Sequence, residues 1–234
     1  MKKAALLLAA WVCIALPATA RTLGNPTKTK IERQVGTYEN LKVNGPFKVI
    51  LTTGTPGTLS LSGENEMLAL ITTTVTDGTL VIELAEGKTL PQTQKVEIKV
   101  PFTTLNRIDL VGTGHIEADK AIKNDVRVSI DGCGSIKLKT STENVEACLL
   151  GQGEIKVTGN ATNFTAKIIG CGHIMAYDLT AQDVKACVSG SGTIEANCRH
   201  ALTGRINGSG NIVFSGTPKI KDLMRSGQGE FTML

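Results

Sequence analysis

The sequence predicts an all-β chain built as a parallel β-solenoid, with rungs of about 19 residues and a less regular β-rich N-terminal half. Three observations carry this. The first is a Gly-x-Gly-x-apolar signature repeated seven times in the second half of the chain. Its glycines are Gly112 and Gly114, Gly132 and Gly134, Gly151 and Gly153, Gly170 and Gly172, Gly190 and Gly192, Gly208 and Gly210, and Gly227 and Gly229, with steps of 20, 19, 19, 20, 18 and 19 residues between first glycines. A fixed period of this size marks one structural unit stacked on itself. The second is alternation. Counting the first glycine as zero, position +4 is Ile in six copies and Phe231 in the seventh, and positions −2 and −4 are mostly apolar or glycine. Odd positions are mostly polar, the two-residue period of a strand with one buried face. The third is length. At roughly 3.3 Å per residue, one period spans about 60 Å of contour, too long for one strand and suited to one circuit of a coil. Strands of successive circuits would stack about 4.8 Å apart, and the chirality preference of parallel connections favours a right-handed coil.

Taken in order, residues 1–20 read as a signal peptide. Met1-Lys2-Lys3 is a short basic start, Ala4 to Leu16 is an apolar run of 13 residues, and Ala18-Thr19-Ala20 is a small-residue cleavage site. The run falls short of the ~20 residues of a membrane span, so cleavage after Ala20 and an exported product are expected, periplasmic or at the cell surface. Residues 21–31 read as a solvated, flexible arm. Residues 32–234 form one domain, in which 32–105 are β-rich but irregular and 106–234 hold the seven rungs. In the irregular part, alternating runs such as Phe47-Lys48-Val49-Ile50-Leu51 and Val96-Glu97-Ile98-Lys99-Val100 are punctuated by glycine-rich turns, and Glu64 to Ile71 has room for one helical turn. This part is expected to start the coil and block its first edge. Nothing comparable follows the seventh copy, whose unpaired rung invites another chain or is covered by residues 221–225 or the last residues.

Loss of Lys2 and Lys3 lowers the formal charge from +4 to +2, without a basic run. Nucleic acid and anionic membrane surfaces are therefore not implied as partners. At 3% aromatic residues the chain also offers few stacking platforms for sugars or bases.

Five cysteines follow the cleavage site: Cys133, Cys148, Cys171, Cys187 and Cys198. An exported chain invites disulfides, but the repeat register places Cys133 and Cys171 two rungs apart, and Cys148 and Cys187 likewise. Two rungs are roughly 9.5 Å, beyond the ~7 Å limit for bridging. Most are expected to be free thiols.

The glycines sit at inward positions and read as corners with little interior room, so the outward slots beside them become the candidate surface. Position +3 reads His115, Ser135, Glu154, His173, Thr193, Asn211, Glu230, and position +1 reads Thr113, Cys133, Gln152, Cys171, Ser191, Ser209, Gln228. Cys133, Gln152, Glu154, Cys171 and His173 are the candidate binding residues. Cys171 and His173 share a strand face one rung from Glu154, the outline of a nucleophile, base and orienting group, or of a three-ligand metal site. A polar ladder generates such neighbours by chance, and a flat β-face supplies no evident oxyanion hole. The reading therefore assigns no catalytic residue, no metal and no cofactor. The glycine pairs lack the third glycine of a dinucleotide fingerprint and any phosphate-loop lysine.

Asn44-Gly45-Pro46-Phe47-Lys48-Val49-Ile50-Leu51, then Gly78-Thr79-Leu80-Val81-Ile82, then Val96 to Pro101 leading to Leu105 and the first glycine pair, resemble the putative auto-transporter adhesin head GIN domain family of secreted Bacteroidetes proteins. The resemblance spans about residues 38–234 and implies a β-solenoid and an extracytoplasmic place. It implies no catalytic motif. Cys133, Cys171, Gln152 and Gln228 depart from the family's usual Gly-Ser-Gly. The expected function is a non-enzymatic exported binding or adhesion module for a glycan, an envelope component or a protein. The alternatives are an assembly module that forms homo-oligomers through its C-terminal edge, and a thiol- or metal-dependent hydrolase at Cys171, His173 and Glu154.

Overall fold

The computed structural model describes residues 28–91 and 96–234, so the expected signal peptide and most of the expected arm lie outside the described residues. The first part of the chain contains β1 (Thr29–Gln34), β2 (Asn40–Asn44), β3 (Lys48–Thr53), β4 (Thr58–Gly63), α1 (Asn65–Leu68), β5 (Ile71–Thr76), β6 (Thr79–Leu84) and β7 (Glu97–Phe102). The repeats follow as β8 (Arg107–Gly112), β9 (His115–Ala118), β10 (Val126–Gly132), β11 (Ser135–Gly151), β12 (Glu154–Gly170), β13 (His173–Gly190), β14 (Thr193–Gly208), β15 (Asn211–Ser215), β16 (Ile220–Gly227) and β17 (Glu230–Met233). The single helical turn falls within the segment that offered one. Thr29 to Ile31, expected in the arm, are instead part of β1. Their backbone pairs with β4 and Ile31 packs on the core.

The solenoid is flattened into two faces. Strands that lead into each glycine pair form the first, in the order β5, β6, β2, β8, β10, the second halves of β11 to β14, and β16. Strands that leave the glycine pair form the second, in the order β1, β4, β7, β3, β9, the first halves of β11 to β14, β15 and β17. Between the two, β11 to β14 bend without interruption at a second, largely glycine-free corner.

The register is that of the repeat. Gly132 pairs with Gly112 and Gly151, and the column continues through Gly170, Gly190, Gly208 and Gly227. Ile116, Ile136, Ile155, Ile174, Ile194 and Ile212 stack as one fully buried column. Leu110, Ile130, Leu149, Ile168 and Val188 form a second on the facing sheet. Each such side chain contributes about 1.5–3 kcal/mol relative to exposure, and together they make one continuous core.

The two glycines of a pair are required for different reasons. The first adopts φ between +96° and +133°, a region that side-chain-bearing residues avoid. The second sits against the rung below. A β-carbon on Gly153 would lie 2.6 Å from the carbonyl oxygen of Gly134, and one on Gly172 would lie 2.5 Å from that of Gly153. Rung spacing in a hydrogen-bonded stack leaves no room for it.

The irregular half holds two further layers of the coil. Lys48 pairs with His115 and Asn44 with Val111, so Gly45-Pro46-Phe47 occupies the same corner as the later Gly-x-Gly units. Phe47 takes the second glycine's place. In the layer below, β6 ends at Leu84 and β7 begins at Glu97, and the sequence between them carries no Gly-x-Gly pair to stack under Phe47. The β2/β3 layer is sandwiched between β6/β7, which follow it in the chain, and β8/β9. Beyond β6/β7, antiparallel β5 and antiparallel β4 and β1 end the stack, as the blocked first edge required. Arg33 fastens this end by donating to the carbonyls of Leu68 and Ile71.

At the other end, among the described residues, β16 pairs only with β14, and β17 only with β15. Residues 221–225 belong to β16 and do not fold over the edge. The guanidinium of Arg205 grips the Asp222 carboxylate at 2.6 and 3.1 Å, joining this last rung to the one before it.

Candidate functional site

The glycine corner is a ladder of backbone hydrogen bonds with the candidate residues on its outer side. The amides of Cys133, Gln152 and Cys171 donate to Gly112, Gly132 and Gly151 of the rung below, at 3.0, 3.0 and 2.9 Å. Two residues later, the amides of Glu154 and His173 donate to Gly134 and Gly153, each at 3.0 Å. All five candidate side chains are exposed. Glu154 and His173 pair directly in register, as the spacing predicted. Among the described residues, no hydrogen bond or ion pair joins Cys171, His173 and Glu154, and no group of three or more His, Cys, Asp or Glu gathers in metal-binding geometry. The corner holds a rigid polar row with no coupled acid, base and nucleophile.

The five thiols are free. Cys148 and Cys187 flank Lys167 in register, which is the two-rung separation that precludes a bridge. Cys198 is buried and donates to the carbonyls of Ala201 and Gln182, and burial pushes its thiol pKa up.

Coupled polar groups lie elsewhere. Lower on the +3 and +5 ladders, the His115 ring bonds to Ser135, and Glu117 accepts from Lys137 at 3.3 Å. That hydrogen bond and the lysine charge hold the Glu117 carboxyl below its ordinary range. At the second corner, Asp125 accepts from the side chain of Asn144, from Thr142 and from the Asn144 amide, and its pKa is lowered mainly by these bonds. Asn144 in turn accepts from Asn163 at 2.9 Å, and two rungs on Asp183 meets His200 at 2.8 Å. Asp125, Asn144, Asn163 and Asp183 all stand at position −7. The signal was present as a polar column, but the glycine corner drew the reading.

The second corner also bears surface relief. Two depressions of about 450 and 680 Å³ meet at Lys123. The smaller is walled by hydroxyl and amide groups, among them Ser141, Asn160, Thr162 and Gln182. The larger lies over Phe102 and Ala121 and is rimmed by Lys120, Lys123 and Lys139.

Among curated proteins, none matches this chain. Among solved structures, that of a putative adhesin from Bacteroides fragilis superimposes with a TM-score of 0.81 at 24% identity, covering 90% of this chain and 98% of that one. A putative lipid binding protein from Parabacteroides distasonis gives 0.68 at 22%, and a putative adhesin from Parabacteroides merdae 0.67 at 18%, each with the same coverage. At these identities the likeness shows a shared fold. The sequence profile of the putative auto-transporter adhesin, head GIN domain, matches residues 37–218. With its stacked glycine corners and its two-faced coil, the chain belongs to that family.

Proposed function

We propose that this protein is a non-enzymatic exported module that binds a glycan, an envelope component or another protein through its outer ladders. The observation that carries the reading is the strict register of the rungs. It repeats similar polar side chains at a step of about 4.8 Å on a rigid support, which suits an extended ligand contacted row by row. The family's adhesin name and the adhesins among its structural neighbours support the same reading. Cys171, His173 and Glu154 are given no catalytic role. The test is binding of the full chain to a glycan array and to isolated envelope fractions, with Cys171→Ala alongside. Retained binding by the variant is expected. Loss of binding together with alkylation of Cys171 far faster than of Cys133 would restore the hydrolase reading.

A second reading rests on the last rung. Ile220, Met224, Met233 and Leu234 are each more than half exposed there, beside strand edges that have no partner among the described residues. Such an edge pairs readily with another chain, here a second copy. Light scattering should then show a mass that rises with concentration, abolished by deleting Phe231 to Leu234.

A further inference from the structure

We infer that the lysine-rimmed shelf at the second corner binds acidic glycans, with their carboxylates on Lys120, Lys123 and Lys139. This deepens the binding reading and rests on it. Among the described residues, none of these three lysines forms a salt bridge, and all three are exposed. By contrast, Lys48, Lys137 and Lys156 are paired with carboxylates. Two of the three lie where the chain leaves the regular strand path between the first two glycine pairs: residues 119–125 carry Lys120 and Lys123 outward, tethered by Ile122, which is buried and bridges to Thr140. Lys139 comes up from β11. The loop thus gathers three positive charges around one depression.

The acidic groups nearby do not cancel them. Asp119 sits on the rim of the same depression, leaving an excess of two positive charges. Asp125 is saturated by Thr142 and Asn144, and Glu143 faces the neighbouring depression. A carboxylate placed among the lysines would gain charge-assisted hydrogen bonds that no protein group now supplies. Across Lys123, the adjoining depression offers Ser141, Asn160, Thr162 and Gln182, a set of neutral donors and acceptors that fits sugar hydroxyls. Ser141 and Asn160 are in register on successive rungs. An anionic saccharide uses both halves of the shelf, whereas a lipid headgroup would use only the lysines.

The probe is an oligomer of polygalacturonate, compared with its fully methyl-esterified form and with phosphatidylglycerol vesicles. Wild-type full chain should bind the acid form, lose that binding as salt rises, and ignore the ester. The Lys120→Ala, Lys123→Ala, Lys139→Ala triple variant should bind about tenfold or more weakly, the loss of at least one charged hydrogen bond. A control triple, Lys42→Ala, Lys167→Ala, Lys185→Ala, removes the same charge from the opposite sheet and should bind as wild type. Equal binding of acid and ester, absence of acid-form binding, preference for the vesicles, or an unaffected shelf variant would each overturn the assignment. The array result judges the wider binding reading separately, because neutral glycans on it do not depend on these lysines.

Discussion

The ring of Phe231 occupies the space that a side chain on Gly204 would need: a β-carbon there would stand 2.5 Å from Cε1 of the ring and 2.8 Å from a methyl of Leu223. Every other copy places isoleucine at +4, and the earlier copies place isoleucine, valine or alanine at −4. Volume is exchanged between neighbouring rungs, the larger ring of the last rung set against the smallest residue in the rung before it. Gly204→Ala should therefore overpack this end and lower stability by about 1–2 kcal/mol, with the midpoint of urea unfolding as the measure. Phe231→Ile should recover most of that loss in the double variant. Additive costs from the two substitutions would show that the slots are independent.

Gly172→Ala should be far worse than Gly204→Ala. At Gly204 the obstacles are side chains near a partly open end, and they can turn away. At Gly172 the obstacles are the backbone of Gly153 and a methyl of Leu149 in a fully enclosed layer, and the carbonyl concerned accepts the His173 amide. Relief would require separating two hydrogen-bonded rungs. A cost of about 3 kcal/mol or more is expected, or failure to fold. Circular dichroism and the urea midpoint of the two variants side by side would check the order. Equal costs would mean that the rungs separate easily.

The rungs were legible because glycine is demanded twice at each corner, once by backbone angle and once by the rung below. Those demands leave a sequence mark that survives changes in every outward slot. The corner at Gly45-Pro46-Phe47 lacks the Gly-x-Gly mark because no glycine pair stacks beneath it in the sequence between β6 and β7, and Phe47 stands where the later copies need glycine. The insertion of β2/β3 between β6/β7 and β8/β9 was hidden for another reason. Pairing order among similar alternating strands is a non-local choice that no local pattern records. The outward exposure of the five candidate residues on the +1 and +3 ladders of the glycine corner was legible from the two-residue alternation. The lysine shelf was not legible at all, since Lys120 and Lys123 hold no repeat position and meet Lys139 only through the path of residues 119–125.

Acid should weaken the second corner through Asp125. Its pKa is depressed by the bonds from Asn144 and Thr142, so its contribution is complete above the ordinary aspartate value of about 3.9. That contribution is lost as pH falls through the lower value of the folded state. Asp125→Asn should thus destabilise the chain near neutrality by less than about 1 kcal/mol, since the group is exposed and screened. The gap between variant and wild type should close as pH drops below about 4. Urea midpoints measured across that range would reveal it, and a gap that widens toward acid would reverse the sign of the effect.

The thiols should report where the coil opens. Cys133 and Cys171 are exposed at the glycine corner, so a neutral alkylating agent should modify both in the native state. Cys198 is buried at the bend of β14, with its pKa raised by burial, so both access and thiolate fraction oppose reaction. Its labelling must wait for local opening, and removal of the Arg205 to Asp222 clamp should hasten that opening, because the clamp joins β14 to β16. Mass spectrometry of timed alkylation should show Cys198 modified last in wild type and sooner in Asp222→Ala, with Cys133 unchanged. If Asp222→Ala accelerates Cys133 as much as Cys198, the opening is global and the terminal rung does not move on its own.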